Sequence, residues 1–227
     1  MIFSNRPPDN VPPLLIRSNL TYEVIKPATT IKFLGVYYDP RMTFKTHCEK
    51  LTSRLARLSA LIFRIKDHVP PYVLKIVYHA HISSILSYCN VIWSNTYNTH
   101  LDSVRKMQKR IIRNVTRSAF RDHTAPLFKL TKILPLEGIR KLSIAMHIFK
   151  NQITFPGLLA RHDYRTRQRD RLRPPIHRTT LYEKSFLFQA PLIWNELVNL
   201  FPPDVFTSMT ANTFKNRIKK YLLEQIE

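Results

Sequence analysis

Leu51, Leu55, Leu58, Ile62 and Ile65 recur at spacings of four and three. No other feature of the chain constrains its fold as much. At about 100° per residue these positions stack on one side of an α-helix. Residues 44–66 are therefore expected to form an amphipathic helix with one face against a core. Pro70 and Pro71 break that pattern and suit the first turn of a second helix. This second helix is expected to run to about Trp93 and, being apolar on most sides, to lie centrally. A third is expected from about Thr99, read as its N-cap, to about Arg117. Leu101, Val104, Met107, Ile111, Ile112 and Val115 mark its apolar positions. Shorter helices are expected near 125–131 and 136–151, and a basic amphipathic one at 213–224 with Phe214, Ile218, Tyr221 and Leu222 on one face.

Strand patterns precede the helices. Tyr22-Glu23-Val24-Ile25 and the run Ile31 to Tyr38 are rich in β-branched and aromatic residues, with Lys26-Pro27-Ala28-Thr29-Thr30 between them. They are expected to pair as a small hairpin. The fold class is thus mainly α, a helical bundle preceded by a small β-hairpin. Four segments are expected: an irregular lead-in and hairpin (1–43), a helical domain (44–155), a basic Arg- and Pro-rich linker (156–184) and a C-terminal tail with a terminal helix (185–227).

Charge narrows the function. The 227 residues hold 36 Lys plus Arg against 15 Asp plus Glu, a formal charge of +21. A compact body this cationic repels itself unless a polyanion is near. Nucleic acid is the first partner to consider and an anionic membrane surface the second. The charge is also patterned. On the third helix Lys106, Lys109, Arg110, Arg113 and Arg117 lie opposite the apolar positions, with Arg105 on the flank and Asp102 the only acid nearby. A one-sided row of cations suits a phosphate backbone; an ordinary solvated face would mix both signs. Lys50, Arg54, Arg57 and Arg64 add a flank to the first helix. Two basic helices joined by a buried one could wall a groove, giving affinity and position rather than sequence choice.

Other chemistry finds little support. The chain has 3 Gly, too few for a phosphate-cradling Gly-rich loop. Cys48 and Cys89 make no disulfide framework, and the start of the chain lacks the apolar core of a secretory signal, so an intracellular, non-secreted protein is expected. No membrane span is expected, since Lys75, His79 and His81 interrupt the most apolar stretch. Neither these histidines nor His47 beside Cys48 have structural zinc spacing. His79 and His81 fall on different sides of a helix, so at least one is expected in the core or an interface. Ser83, Ser84 and Ser87 lack a nucleophile elbow. No Asp-Asp pair occurs, and two-metal phosphoryl transfer needs converging carboxylates. No catalytic residue, metal or cofactor is assigned.

Several strings, in order, resemble the end of the reverse transcriptase reading frame of non-LTR retrotransposons, the jockey-like and related LINE elements. They are Ile31-Lys32-Phe33-Leu34-Gly35-Val36-Tyr37-Tyr38-Asp39 followed by Met42-Thr43-Phe44-Lys45-Thr46-His47; Ser87-Tyr88-Cys89-Asn90-Val91-Ile92-Trp93; Gln108-Lys109-Arg110 with Ile112-Arg113; His123-Thr124-Ala125-Pro126-Leu127-Phe128; His162-Asp163-Tyr164-Arg165-Thr166-Arg167; and Pro191-Leu192-Ile193-Trp194-Asn195-Glu196-Leu197. In the fifth string Arg165 stands where the family has Asn. The resemblance implies that Phe33, Leu34 and Gly35 lie near a primer grip and that the helices after them form a thumb holding primer–template duplex. Partners would be RNA, RNA–DNA hybrid or DNA, and the palm and fingers of the same polymerase. Contacts would come from Lys50, Arg54, Arg57, Arg105, Lys106, Lys109, Arg110, Arg113, Arg117, Arg165 and Arg167. The family's catalytic aspartates and their Mg²⁺ would belong upstream of Met1. The chain is then a truncated element copy, a fragmentary gene model or a domesticated remnant. It acts either as a nucleic-acid-binding module, inert alone, or as an interaction or structural protein that kept a helical core.

Overall fold

The computed structural model describes Phe3 and residues 14–18, 21–25, 28–151, 172, 174–198 and 209–226. Four short strands come first: β1 (Leu14–Ser18), β2 (Thr21–Ile25), β3 (Ile31–Phe33) and β4 (Val36–Tyr38). They form two separate antiparallel hairpins, β1 with β2 and β3 with β4. The two expected strand runs therefore do not pair with each other. Each has a nearer partner, and 14–18, expected as irregular, is a strand. Leu34 and Gly35, at φ 45° and 81°, form the β3–β4 turn. Two successive positive φ values match the hairpin turn whose twist suits paired strands.

Asp39 organises the entry to the first helix. Its Oδ1 accepts from the Arg41 and Thr43 amides at 3.1 and 3.0 Å, and its Oδ2 from the Thr43 hydroxyl at 3.1 Å. This is the local bonding that lets a short acidic side chain hold a turn. Helix α1 (Lys45–Ile65) follows and buries Leu51, Leu55 and Ile62.

The second helical stretch is not one α-helix. It consists of α2 (Pro71–Val77), a π-helical turn (Tyr78–Ser83), α3 (Ser84–Ser87) and, after a break, α4 (Asn90–Trp93). Leu74, Tyr78, Ile82 and Leu86, spaced by four, are all fully buried. Four-residue steps drift around a regular α-helix, and the wider π turn takes up the drift. At the break Cys89 sits at φ 48°. Side chains satisfy the freed carbonyls: Asn90 Nδ2 donates to Leu86 O at 2.8 Å and Trp93 Nε1 to Tyr88 O at 2.9 Å. This stretch is not buried all round, since Tyr72 and Ile76 are exposed.

Helix α5 (Asn98–Thr116) starts before the expected cap, so Thr99 lies inside it and Tyr97 precedes it. Thr52 bonds Ser103, while Asn114 bonds Ser59. Contact positions rise together along both chains, so α1 and α5 run parallel and the α2–α4 stretch carries the chain back between them. Helices α6 (Thr124–Thr131) and α7 (Leu136–Lys150) come next, then α8 (Thr180–Glu183), α9 (Phe186–Val198) and α10 (Ala211–Glu224). The helix that lies centrally is α7, which packs on α3, α4, α9 and α10. Phe149 of α7 stacks on Phe214 of α10 with centroids 4.2 Å apart. Most of the expected basic linker lies outside the described residues, but Leu172 within it is buried. Asn195 of α9 exchanges two 2.8 Å hydrogen bonds with the Leu172 backbone, so the linker is anchored at that residue, while residues 176–180 further along it are exposed.

Candidate nucleic-acid interface

On α5 the buried positions Leu101, Val104, Gln108, Ile111, Ile112 and Val115 occupy one side at 100° per residue. Lys106, Lys109, Arg110, Arg113 and Arg117 span an arc of about 100° centred nearly opposite. Lys106, Lys109 and Arg110 are exposed and join no ion pair among the described residues. The other cations of this helix are partly engaged. Arg113 Nε donates to Asp122 O at 3.0 Å. Arg117 donates to Lys66 O at 2.9 Å and Val69 O at 2.8 Å, bracing the C-terminal ends of the parallel helices. Arg105 pairs with Asp102 at 2.8 Å and also with Glu137. Burial opposes the Arg105 charge, but the two carboxylates outweigh it and hold the guanidinium above its ordinary value.

Lys50, Arg54, Arg57 and Arg64 are exposed along α1. Thr52 and Ser59 mark the side of α1 turned to α5, and the basic band lies roughly opposite that side at 100° per residue. The two rows thus look out on different sides and do not face each other across a common groove. Exposed Leu61 sits within the α1 band.

The Phe33-Leu34-Gly35 tip is held from outside its own hairpin. Tyr88 Oη donates to Leu34 O at 2.7 Å, and a Cβ on Gly35 would meet the Tyr88 ring at 3.5 Å. Phe33 and Leu34 remain exposed. Arg165 and Arg167 lie outside the described residues.

His79 and His81 are both exposed. Among the described residues the buried histidine is His47, packed 5.4 Å from the Trp93 ring, and burial pulls its pKa down to about 4. Among the described residues no group of three His, Cys, Asp or Glu is placed to hold a metal ion, and no helix is long and apolar enough to cross a membrane.

One cluster was not foreseen. Lys215 and Lys219 of α10, Lys150 of α7 and His79 border a cleft of about 390 Å³. The Lys215–Lys219 spacing of four was visible in the sequence, but α7 and α10 meet only in the fold. No family model, curated protein or solved structure matches the chain.

Proposed function

We propose that the chain is a nucleic-acid-binding module, the carboxy-terminal thumb-and-tail portion of a LINE-type reverse transcriptase, which grips primer–template duplex without supplying catalytic carboxylates. The observation that carries this reading is the α5 row. Lys106, Lys109 and Arg110 are exposed opposite a buried stripe and form no ion pair among the described residues. Folding holds these charges in solvent, and a polyanion would neutralise them. Each phosphate contact releases counterions, so affinity for duplex should fall with salt at a log–log slope of about 0.9 per contact. Lys106→Glu, Lys109→Glu and Arg110→Glu together should flatten the slope for RNA–DNA hybrid by about three contacts on that rule. These three spare the bracing Arg113 and Arg117. An unchanged slope and affinity in a variant with an unchanged circular dichroism spectrum would refute the reading.

A protein-contact role is the second reading, and one observation favours it. Leu14, Leu15, Ile16, Tyr22, Val24 and Ile25 of the first hairpin are exposed, an apolar surface of the kind that marks interfaces. That reading expects weak binding to nucleic acid with little dependence on salt.

A further inference from the structure

The cleft between the π turn, α7 and α10 carries cations without a carboxylate. Lys150, Lys215 and Lys219 line it with His79 beside them, and among the described residues no Asp or Glu does. Lys219 is half-buried and takes no ion pair among the described residues. Burial lowers its pKa, and the charges of Lys75, Lys215 and Lys132 lower it further. His79 is exposed at the rim, but partial shielding from water still lowers its pKa, with Lys219 and Lys75 adding to the effect. A partly desolvated ammonium crowded by like charges lacks an anion. The interior of the cleft is different. Ile139, Leu142 and Met146 of α7 line it, with Ser143 among them. Its volume of about 390 Å³ falls in the range of small-ligand sites.

We propose that this cleft binds a nucleoside phosphate, its phosphoryl oxygens on Lys215, Lys219 and Lys150 and its nucleoside against the apolar floor formed by α7. Point charges at the mouth and an apolar floor together suit a ligand that is anionic at one end and presents an uncharged ring face at the other. The site stands apart from the α5 row. Gln108 lies on the buried side of α5 and bonds Tyr78 and Leu134, both of which line the cleft, so the α5 cations point away from it. The proposal therefore does not rest on the duplex-binding reading.

Calorimetric titration of the whole chain with ATP, AMP, adenosine and pyrophosphate tests it. ATP and AMP should saturate one site, and adenosine should bind at least tenfold more weakly than AMP. Lys215→Gln with Lys219→Gln should weaken ATP tenfold or more, while the Lys106, Lys109, Arg110 triple variant should bind ATP as the parent does. The Lys215→Gln, Lys219→Gln variant should melt no lower than the parent in the free state, because it removes crowded charges; this shows that its loss of ATP binding is not loss of fold. Displacement of ATP by a 5′-phosphorylated oligonucleotide, but not by its 5′-hydroxyl counterpart, identifies a strand end as the source of the phosphate. No displacement by either, with ATP bound, identifies a free nucleotide. Absence of saturable ATP binding overturns the proposal, as does equal ATP binding by the Lys215→Gln, Lys219→Gln variant or pyrophosphate binding as tight as ATP.

Discussion

Acidification should destabilise this protein through one buried imidazole. His47 is 8% exposed and lies among Trp93, Tyr37 and the start of α1, with the Tyr37 amide directed at its Nδ1 at 3.5 Å. Protonation would set one N–H against another and leave an unpaired charge in an apolar site. Burial accordingly lowers its pKa from 6.5 to about 4. Between these values the unfolded chain binds the proton and the folded chain does not, so stability falls as pH falls. The full difference of about 2.5 pH units corresponds to about 3 kcal/mol, reached only below pH 4. At pH 5 the loss relative to pH 7.5 should be about 2 kcal/mol by the same linkage. Urea unfolding followed by tryptophan fluorescence at pH 7.5, 6, 5 and 4 measures it. Carboxylates also titrate in this range, so the comparison is with His47→Gln, which is neutral throughout. That variant should be less stable at pH 7.5 but show a shallower pH dependence, the curves converging towards pH 4. Parallel curves for parent and variant would refute the argument.

Arg117→Ala removes two hydrogen bonds to carbonyls at the end of α1 and should cost about 1–2 kcal/mol in a denaturant melt. Arg117→Gly loses the same bonds but relieves the left-handed φ of 56°, so it should be less harmful than Ala by about 1 kcal/mol. Gln108→Leu strands the buried Leu134 carbonyl and the Tyr78 hydroxyl, to which Gln108 Nε2 donates at 3.0 and 2.9 Å. It should cost about 2–3 kcal/mol, more than Tyr78→Phe, which leaves the Leu134 bond in place. In primer extension with Mg²⁺ the chain should give no product above a buffer blank, because its sequence has no Asp-Asp pair; extension that persists through further purification would contradict this.

Element identity was legible where a period ran long. The spacing of four and three across Leu51 to Ile65 gave α1, and the stripe from Leu101 to Val115 gave α5. The cation row followed from the same arithmetic, because a helix fixes which residues share a side. Strand pairing was not legible. Tyr22 to Ile25 and Ile31 to Tyr38 are equally plausible partners on propensity, and only the tight turn at Leu34-Gly35 assigns the second run to itself. The break at Tyr88-Cys89 was hidden because Asn90 and Trp93 satisfy the freed backbone, and neither reads as a helix breaker. The engagement of Arg113 and Arg117 depends on carbonyls in loops, which no periodicity places. The cleft is the least legible feature: its walls come from residues near 79, 143 and 217 that meet only after folding.

The wide turn at Tyr78–Ser83 has a consequence for how the gene can vary. Leu74 and Leu86 are twelve residues apart; along a regular α-helix they would diverge by about 120°, whereas eleven residues would leave them within about 20°. The turn therefore holds one residue more than regular geometry needs. Deleting exposed Ala80 should turn the segment into an unbroken α-helix with both leucines still in the core, whereas deleting a residue from the middle of α5, which holds no extra residue, would rotate a buried side into solvent. A single-codon loss, ordinarily ruinous inside a helix, should be survivable at this one place.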